Sequence, residues 1–343
     1  MLLAYVCFMN LPRLHFFNKP VPVLPLTPNL YPKPWLVRPA LNRRLMSLSS
    51  SKKLIFSFLF SLLFTSGFAQ PILRIGVIAD IQYGDIETAG TRHYRQSLPK
   101  LEACVADLNA EKVDFSVNLG DLVDRNPADL EAILSRLQKL DKPVYNTTGN
   151  HDYVGITDNN ALYKRIGMPS AYYAFTKGKW MFVMLNTNEV AAYSNIGGTE
   201  LEKEYEEIKQ RIKDRGRDND KPWNGAISQK QMEWLKANLK KANRKKLNVI
   251  VCTHHPVYPF TGSSALNDKE IVETLASYKC VKAVLSGHHH SGYFDVYEGL
   301  PCITTQGMIE TADQNAYGVL EIYKDKLVLK GRGRTKSYEL ELR

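Results

Sequence analysis

Five short clusters in this 343-residue chain carry side chains able to bind divalent cations. They are Asp80-x-Gln82, Gly120-Asp121-x-x-Asp124, Gly149-Asn150-His151-Asp152, His254-x-Pro256 and Gly287-His288-x-His290. Singly, each reads as ordinary local structure, because an Asp after a strand caps or turns the chain and Gly-Asp or Gly-Asn pairs form turns. Jointly they are a donor set of carboxylates, amides and imidazoles with no thiolate. That set suits manganese, iron, magnesium or zinc in an open site rather than a closed structural zinc site. Glycines beside the donors permit sharp turns and close approach of backbone to a metal.

The elements that must position these donors are legible as short apolar runs. Residues 73–79, 113–119, 143–147, 247–252 and 281–285 read as buried strands, and each ends in one of the five clusters. Ligand sites in α/β folds gather at the carboxyl ends of strands, so five such ends on one rim would converge their side chains. Helices are expected over 93–111, over 128–140 and over 228–242, the last with Ser228 as cap and Gln231 at the box position. A charged helix over 199–216 reads as a solvated insertion within about 195–227. Residues 172–175 and 179–185 read as a strand pair turning at Lys177-Gly178, and the tail from Gly292 alternates short strands and turns.

The ordered set of clusters resembles the calcineurin-like metallophosphoesterase superfamily over about Leu73 to Tyr338. Gln82 stands where that superfamily usually has His. In this the chain is similar to the branch of manganese-dependent ADP-ribose/CDP-alcohol diphosphatases, which carry Asp-Ile-Gln-Tyr here. Arg92-His-Tyr-Arg-Gln-Ser97, Asn224-Gly225 leading to Gln231 and Trp234-Leu235, Ile309-Glu310-Thr311-Ala312 and Leu329-Lys-Gly-Arg-Gly-Arg334 agree with the same branch.

The resemblance implies an α/β, four-layer αββα sandwich of two mixed β-sheets flanked by helices, occupying residues 70–343. It implies two divalent cations, manganese first, with iron, magnesium or zinc as alternatives. Asp80, Gln82 and His290 would hold one, Asn150, His254 and His288 the other, and Asp121 would bridge. The amide oxygen of Gln82 is harder than imidazole and favours manganese or magnesium over zinc. Two such cations bind phosphoryl oxygens and lower the pKa of a bridging water, whose hydroxide attacks phosphorus in line with the leaving oxygen. His151 would stabilise equatorial oxygens or protonate the leaving group, and Asp124 would orient it. His289 is expected to point away from the site. For substrate, Arg92 and Arg95 could reach a second phosphate, or else be a solvated helix face. Tyr83, Trp223 and Tyr317 could stack on a base or ribose, or else be core and rim aromatics.

Charge first suggests a different partner. The formal net charge is +10, from 45 basic and 35 acidic residues. Residues 1–69 hold eight Lys/Arg and no Asp or Glu, so 37 basic face 35 acidic residues beyond them. No basic footprint for nucleic acid survives in that near-neutral body. Residues 46–69 read as a secretory signal peptide: Lys52-Lys53, an apolar run over Leu54–Phe64, and Gly67-Phe68-Ala69 before the cut. The run is shorter than the roughly 20 residues of a membrane span. Export to a periplasm or the outside is therefore expected, with no stable span in the mature chain. Residues 1–45, with eight of the 17 prolines, read as a disordered or mis-assigned extension before Met46. Cys104, Cys252, Cys280 and Cys302 lack metal spacing and read either as paired or as buried free thiols.

The expected activity is hydrolysis of the diphosphate bond in a small nucleoside diphosphate compound. The alternative is a broader phosphodiesterase or phosphomonoesterase.

Overall fold

Strands that are apolar on both faces must be covered on both faces, and this chain supplies four layers to do it. The computed structural model describes residues 70–343; the extension over 1–45 and the leader over 46–69 lie outside the described residues. The first half forms β1 (Leu73–Ile78), α1 (Ser97–Ala110), β2 (Phe115–Asn118), α2 (Leu130–Leu137), β3 (Val144–Asn146), α3 (Asn159–Arg165), β4 (Tyr173–Lys177) and β5 (Trp180–Met184). Then come α4 (Glu200–Asp214), α5 (Gln229–Arg244), β6 (Asn248–Cys252), α6 (Asp268–Ala276) and β7 (Val281–Ser286). The tail adds β8 (Tyr293–Tyr297), β9 (Leu300–Thr304), β10 (Ala316–Ile322), β11 (Lys326–Gly333) and β12 (Tyr338–Glu341).

Two six-stranded mixed sheets result, ordered β12-β11-β10-β1-β2-β3 and β4-β5-β6-β7-β9-β8. In the first, β1, β2 and β3 run parallel. In the second, β5, β6 and β7 run parallel. Alternate residues explain the layering. Ile75, Val77, Phe115 and Val117 of the first sheet share a core with Phe182, Met184, Ile250, Cys252 and Leu285 of the second. The opposite parity, Met181, Val183, Leu185, Val249 and Val251, packs with Met232, Leu235 and Leu239 of α5 and Ile271, Val272 and Leu275 of α6. Leu101, Cys104, Val105 and Leu108 of α1 and Leu130, Ile133 and Leu137 of α2 join the core of the first sheet.

The expected elements need adjusting at their ends and in their surroundings. The helix anticipated from 93 begins at Ser97, because residues 93–96 are drawn into turn and bridge bonds, including His93 N–H to Ile309 O at 3.1 Å. The stretch over 128–140 splits into a short 3₁₀ turn at Pro127–Asp129 and α2. α4 is not wholly solvated: Tyr205, Ile208 and Ile212 pack with Val190, Ile196, Ala226 and Leu266 in a small third core. Ser228 caps α5 by accepting from Gln231 N–H at 3.0 Å. The reciprocal bond is made by Glu189, not Gln231; it accepts from Ser228 N–H at 3.0 Å and from the Gln231 amide at 2.6 Å. The four cysteines among the described residues are free buried thiols, and burial pushes those of Cys252 and Cys302 up to about 12.

Phe115 sits where the sheets face each other, edge-on to Tyr145, Phe175 and Phe182 at centroid distances of 5.5, 5.4 and 4.9 Å. Phe115→Ala leaves a cavity between the sheets and is expected to cost about 3–5 kcal/mol, read as a lowered midpoint in urea unfolding.

Candidate metal centre

The five clusters follow β1, β2 and β3 of one sheet and β6 and β7 of the other, so both sheets deliver donors to one rim. The turns that do this are strained. Nine non-glycine residues have positive φ among the described residues, and four of them are Asp80 (51°), Gln82 (46°), Asp121 (55°) and His288 (68°). Left-handed backbone at a non-glycine residue costs about 1–3 kcal/mol and persists where the surroundings over-determine it. Here they do. Asp80 N–H donates to Gly120 O at 3.1 Å and Gln82 N–H to Asp121 O at 2.7 Å. His288 N–H donates to both Asp80 carboxylate oxygens, at 2.9 and 3.1 Å. A Cβ on Gly149 would collide with the Asp121 carboxylate, and one on Gly287 with that of Asp80, so these two positions require glycine for close approach.

Asp152 locks two of the loops together. Its buried carboxylate accepts from the N–H groups of Asp121 (3.0 Å), Leu122 (2.8 Å), Val123 (3.2 Å) and Gly149 (2.8 Å). The sequence placed Asp152 inside a cluster without giving it this role.

Each histidine has one nitrogen tied outward. His254 Nδ1 lies 2.8 Å from Leu119 O, which can only accept, so that nitrogen carries the proton. His288 Nε2 lies 3.1 Å from Asn224 Oδ1, and the Asn224 amide N–H groups donate to Asn219 O and Gly262 O. His290 Nδ1 lies 2.7 Å from the Glu310 carboxylate. In the neutral rings the remaining nitrogens are lone pairs. Burial and the neighbouring imidazoles, His255 first among them, hold His288 far below its ordinary pKa and hence neutral.

Those lone pairs converge on other acceptors. Asn150 Oδ1 lies 3.1 Å from His254 Nε2 and 3.0 Å from His288 Nδ1, and the two nitrogens are 3.2 Å apart. With no hydrogen available between them, three acceptors at this spacing repel unless a cation lies among them. A second group is alike. Gln82 Nε2 donates to Asp124 Oδ1 at 2.7 Å, which leaves its buried Oε1 without a partner. His290 Nε2 faces Asp80 Oδ1 at 3.8 Å. Asp121 Oδ2 lies 3.5 Å from His254 Nε2, and donor atoms of Asp80, Asp121 and His254 all fall within 4.8 Å of one another. The residues present thus fit divalent cations by their chemistry.

His151 borders this cluster. Its N–H donates to Asp121 Oδ1 at 2.8 Å, and its Nδ1 lies 3.0 Å from Asp124 O and 3.2 Å from Asp124 Oδ1. Burial lowers the His151 pKa, but Asp121 and then Asp124 outweigh it and lift the ring to about 9. The Gln82 amide nitrogen stands 3.0 Å from His151 Nε2, an arrangement only the neutral ring accepts. The two tendencies meet at Asp121: a cation on that carboxylate would remove the largest upward pull on the ring.

A cleft of ≈ 420 Å³ opens onto the donors, lined by Arg92, Asp121, Asn150, His151, Trp223, Ser263, His288 and His290. Of the expected substrate contacts, Arg92 and Trp223 are therefore brought to the site. Arg95 is not: it is exposed and paired with Asp85 at 2.6 Å and with Glu87. Tyr317 is not: it is buried on β10 and donates to Asp107 at 3.0 Å. Tyr83 packs against the core between the sheets rather than lining the cleft. His289 bonds to Tyr293 at 3.1 Å, outside the lining. His255 is spent on Thr187 and Trp223 O at 2.9 and 3.0 Å, and burial holds it neutral. The residues missed from the sequence as site partners are Asn224, Glu310 and Asp152; Asn224 and Glu310 were visible only within stretches shared with a family branch.

The calcineurin-like phosphoesterase family profile matches residues 73–292, and the chain belongs to that family. It is a metal-dependent hydrolase of phosphate esters or anhydrides. It is 29% identical over 307 residues to a rice protein named manganese-dependent ADP-ribose/CDP-alcohol diphosphatase, covering 79% of this chain and 94% of that one. The human protein of the same name is 27% identical over 316 residues, covering 78% and 92%. The crystal structure of a zebrafish dimetal phosphatase superposes with a TM-score of 0.72 at 26% identity, over 80% of this chain and all of that one.

Asn224→Ala deprives His288 Nε2–H of its acceptor. Manganese affinity is expected to fall on the order of 10–100-fold, measured by competition with a fluorescent chelator.

Proposed function

We propose that this protein is a manganese-dependent diphosphatase of nucleoside diphosphate compounds of the ADP-ribose and CDP-alcohol kind. Water cleaves the diphosphate bond, giving a nucleoside monophosphate and a phosphorylated sugar or alcohol. The observation that carries the reading is the convergence of unprotonated donors at the floor of a cleft with Arg92 and Trp223 on its walls. The names of the relatives supply the substrate class, and Gln82, a hard amide donor, supports manganese.

Asp80, Gln82 and His290 would hold one cation and Asn150, His254 and His288 the other, with Asp121 shared. When bound, the pair would supply Lewis acidity toward the phosphoryl oxygens and lower the pKa of water. The rest is done by the chain. Arg92, on the cleft wall, would bind the second phosphate, since a guanidinium grips phosphate in two places at once. Trp223, 47% exposed, offers a ring face to the base or ribose. Asp124 holds His151 by Nδ1 and pulls it toward its charged form, in which Nε2 would turn from accepting the Gln82 amide to offering a proton to an equatorial oxygen or the leaving phosphate.

On purified residues 70–343 with manganese, kcat/KM for ADP-ribose and CDP-choline is expected to exceed that for simple phosphomonoesters. Equal or faster turnover of the monoesters would sink the diphosphatase reading in favour of a broader phosphoesterase.

We also propose that the protein is exported, on the strength of the leader over 46–69. Among the described residues no helix is long and apolar enough to cross a membrane. A reporter fused to residues 46–75 is expected to leave the cytosol; retention there, read by fractionation, counts against export.

A further inference from the structure

Lys100 has no part in the chemistry outlined so far, yet it is only 5% exposed, and it lies on α1 beneath the segment that carries Glu310. Its ammonium donates to three carbonyls within four consecutive residues: Met308 O, Glu310 O at 3.1 Å and Thr311 O at 2.9 Å. A lysine has three N–H donors and no acceptor, so the full donor set is used. Among the described residues no carboxylate oxygen is bonded to it. The segment has wrapped its backbone around this one cation.

The same segment is pinned on its other side to a metal-binding turn. Met308 N–H donates to Ala79 O at 3.2 Å and Ile309 N–H to Asp80 O at 2.9 Å. The loop returns to α1 at Asn315, whose amide donates to Lys100 O at 2.6 Å. Between these anchors, Glu310 alone reaches the metal centre, where its carboxylate accepts from His290 Nδ1. The path from ammonium to imidazole is therefore Lys100 to the Glu310 backbone, then the Glu310 carboxylate to His290.

We propose that Lys100 is a positioning residue for the metal centre, its ammonium shaping residues 308–311 so that Glu310 fixes the ring of His290 with Nε2 toward the cation. This rests on the metal-site reading above. Neither neighbouring side-chain type can take over. A guanidinium is a flat fork that cannot meet three carbonyls converging from one side. An apolar chain of equal length leaves three buried carbonyls unpaired, and the segment must relax to rehydrate them. Burial, with Arg334 assisting, pulls the Lys100 pKa down to about 8, while Glu310 and Asp313 oppose the shift.

The test is manganese binding by the full chain, stripped with chelator and titrated calorimetrically, for wild type, Lys100→Gln, Lys100→Met, Glu310→Gln and the Lys100→Met/Glu310→Gln pair. Affinity is expected to fall in the order of donors retained, wild type above Lys100→Gln above Lys100→Met. The last loss should be on the order of tenfold or more. If Lys100 acts through Glu310, the pair binds about as well as Glu310→Gln alone, because the two losses share one path. Lys100→Met binding manganese like wild type, or losses that multiply in the pair, would overturn the proposal. Should Lys100→Met fail to fold, Lys100→Gln alone and combined with Glu310→Gln reads the same coupling. A wild-type chain that binds no manganese would overturn the metal site itself, and this inference with it.

Discussion

The structure depends on keeping several lone pairs pointed at one another in a buried place. Asn150 Oδ1, His254 Nε2 and His288 Nδ1 sit within 3.0–3.2 Å of each other. Oxygen and nitrogen acceptors at that spacing repel, and burial removes the water that would screen them. What holds them is a ring of bonds one layer out. Leu119 O, Asn224 Oδ1 and the Glu310 carboxylate each accept a hydrogen bond from the far side of an imidazole and so dictate which nitrogen faces inward. The local cost of four left-handed residues and a set of opposed acceptors is tolerable only because two large cores hold the turns in place.

The two-sheet architecture explains why the donors can come from opposite ends of the chain. Parallel strands must all finish on the same side. β1, β2 and β3 finish beside the carboxylates and Asn150, and β6 and β7 finish beside the histidines. Facing the sheets across Phe115, Phe175 and Phe182 brings those finishes together. Hard oxygen donors, two carboxylates and two amides, thus arrive from one sheet and imidazoles from the other.

The candidate donors were legible as a group because each sits within four residues of a strand end, where an apolar run gives way abruptly to Gly, Asp, Asn or His. The partners of those donors were not. Asn224 serves His288 across 64 residues and Lys100 reaches Glu310 across 210, and no local pattern marks either. Tyr317 and Arg95 had two readings left open, and the structure takes the second of each, core aromatic and solvated face. An aromatic or basic residue near a motif looks like a substrate contact until its exposure and its own partner, Asp107 or Asp85, are known. The capping box at Ser228 was half right, since Gln231 occupies the expected position but Glu189 from another segment makes the returning bond. The charged helix α4 hid its three buried residues because they are few among many Glu and Lys.

The contact between the His288 N–H and the Asp80 carboxylate joins residues 208 positions apart. Any ion gripped by ligands from both sheets therefore closes a very long loop, and its binding energy counts toward holding the sheets face to face. Such an ion would relieve the repulsion among the acceptors, so what opposing them costs the empty site would return as affinity. The same occupancy would then add to the stability that the two cores supply and ready the site for its chemistry.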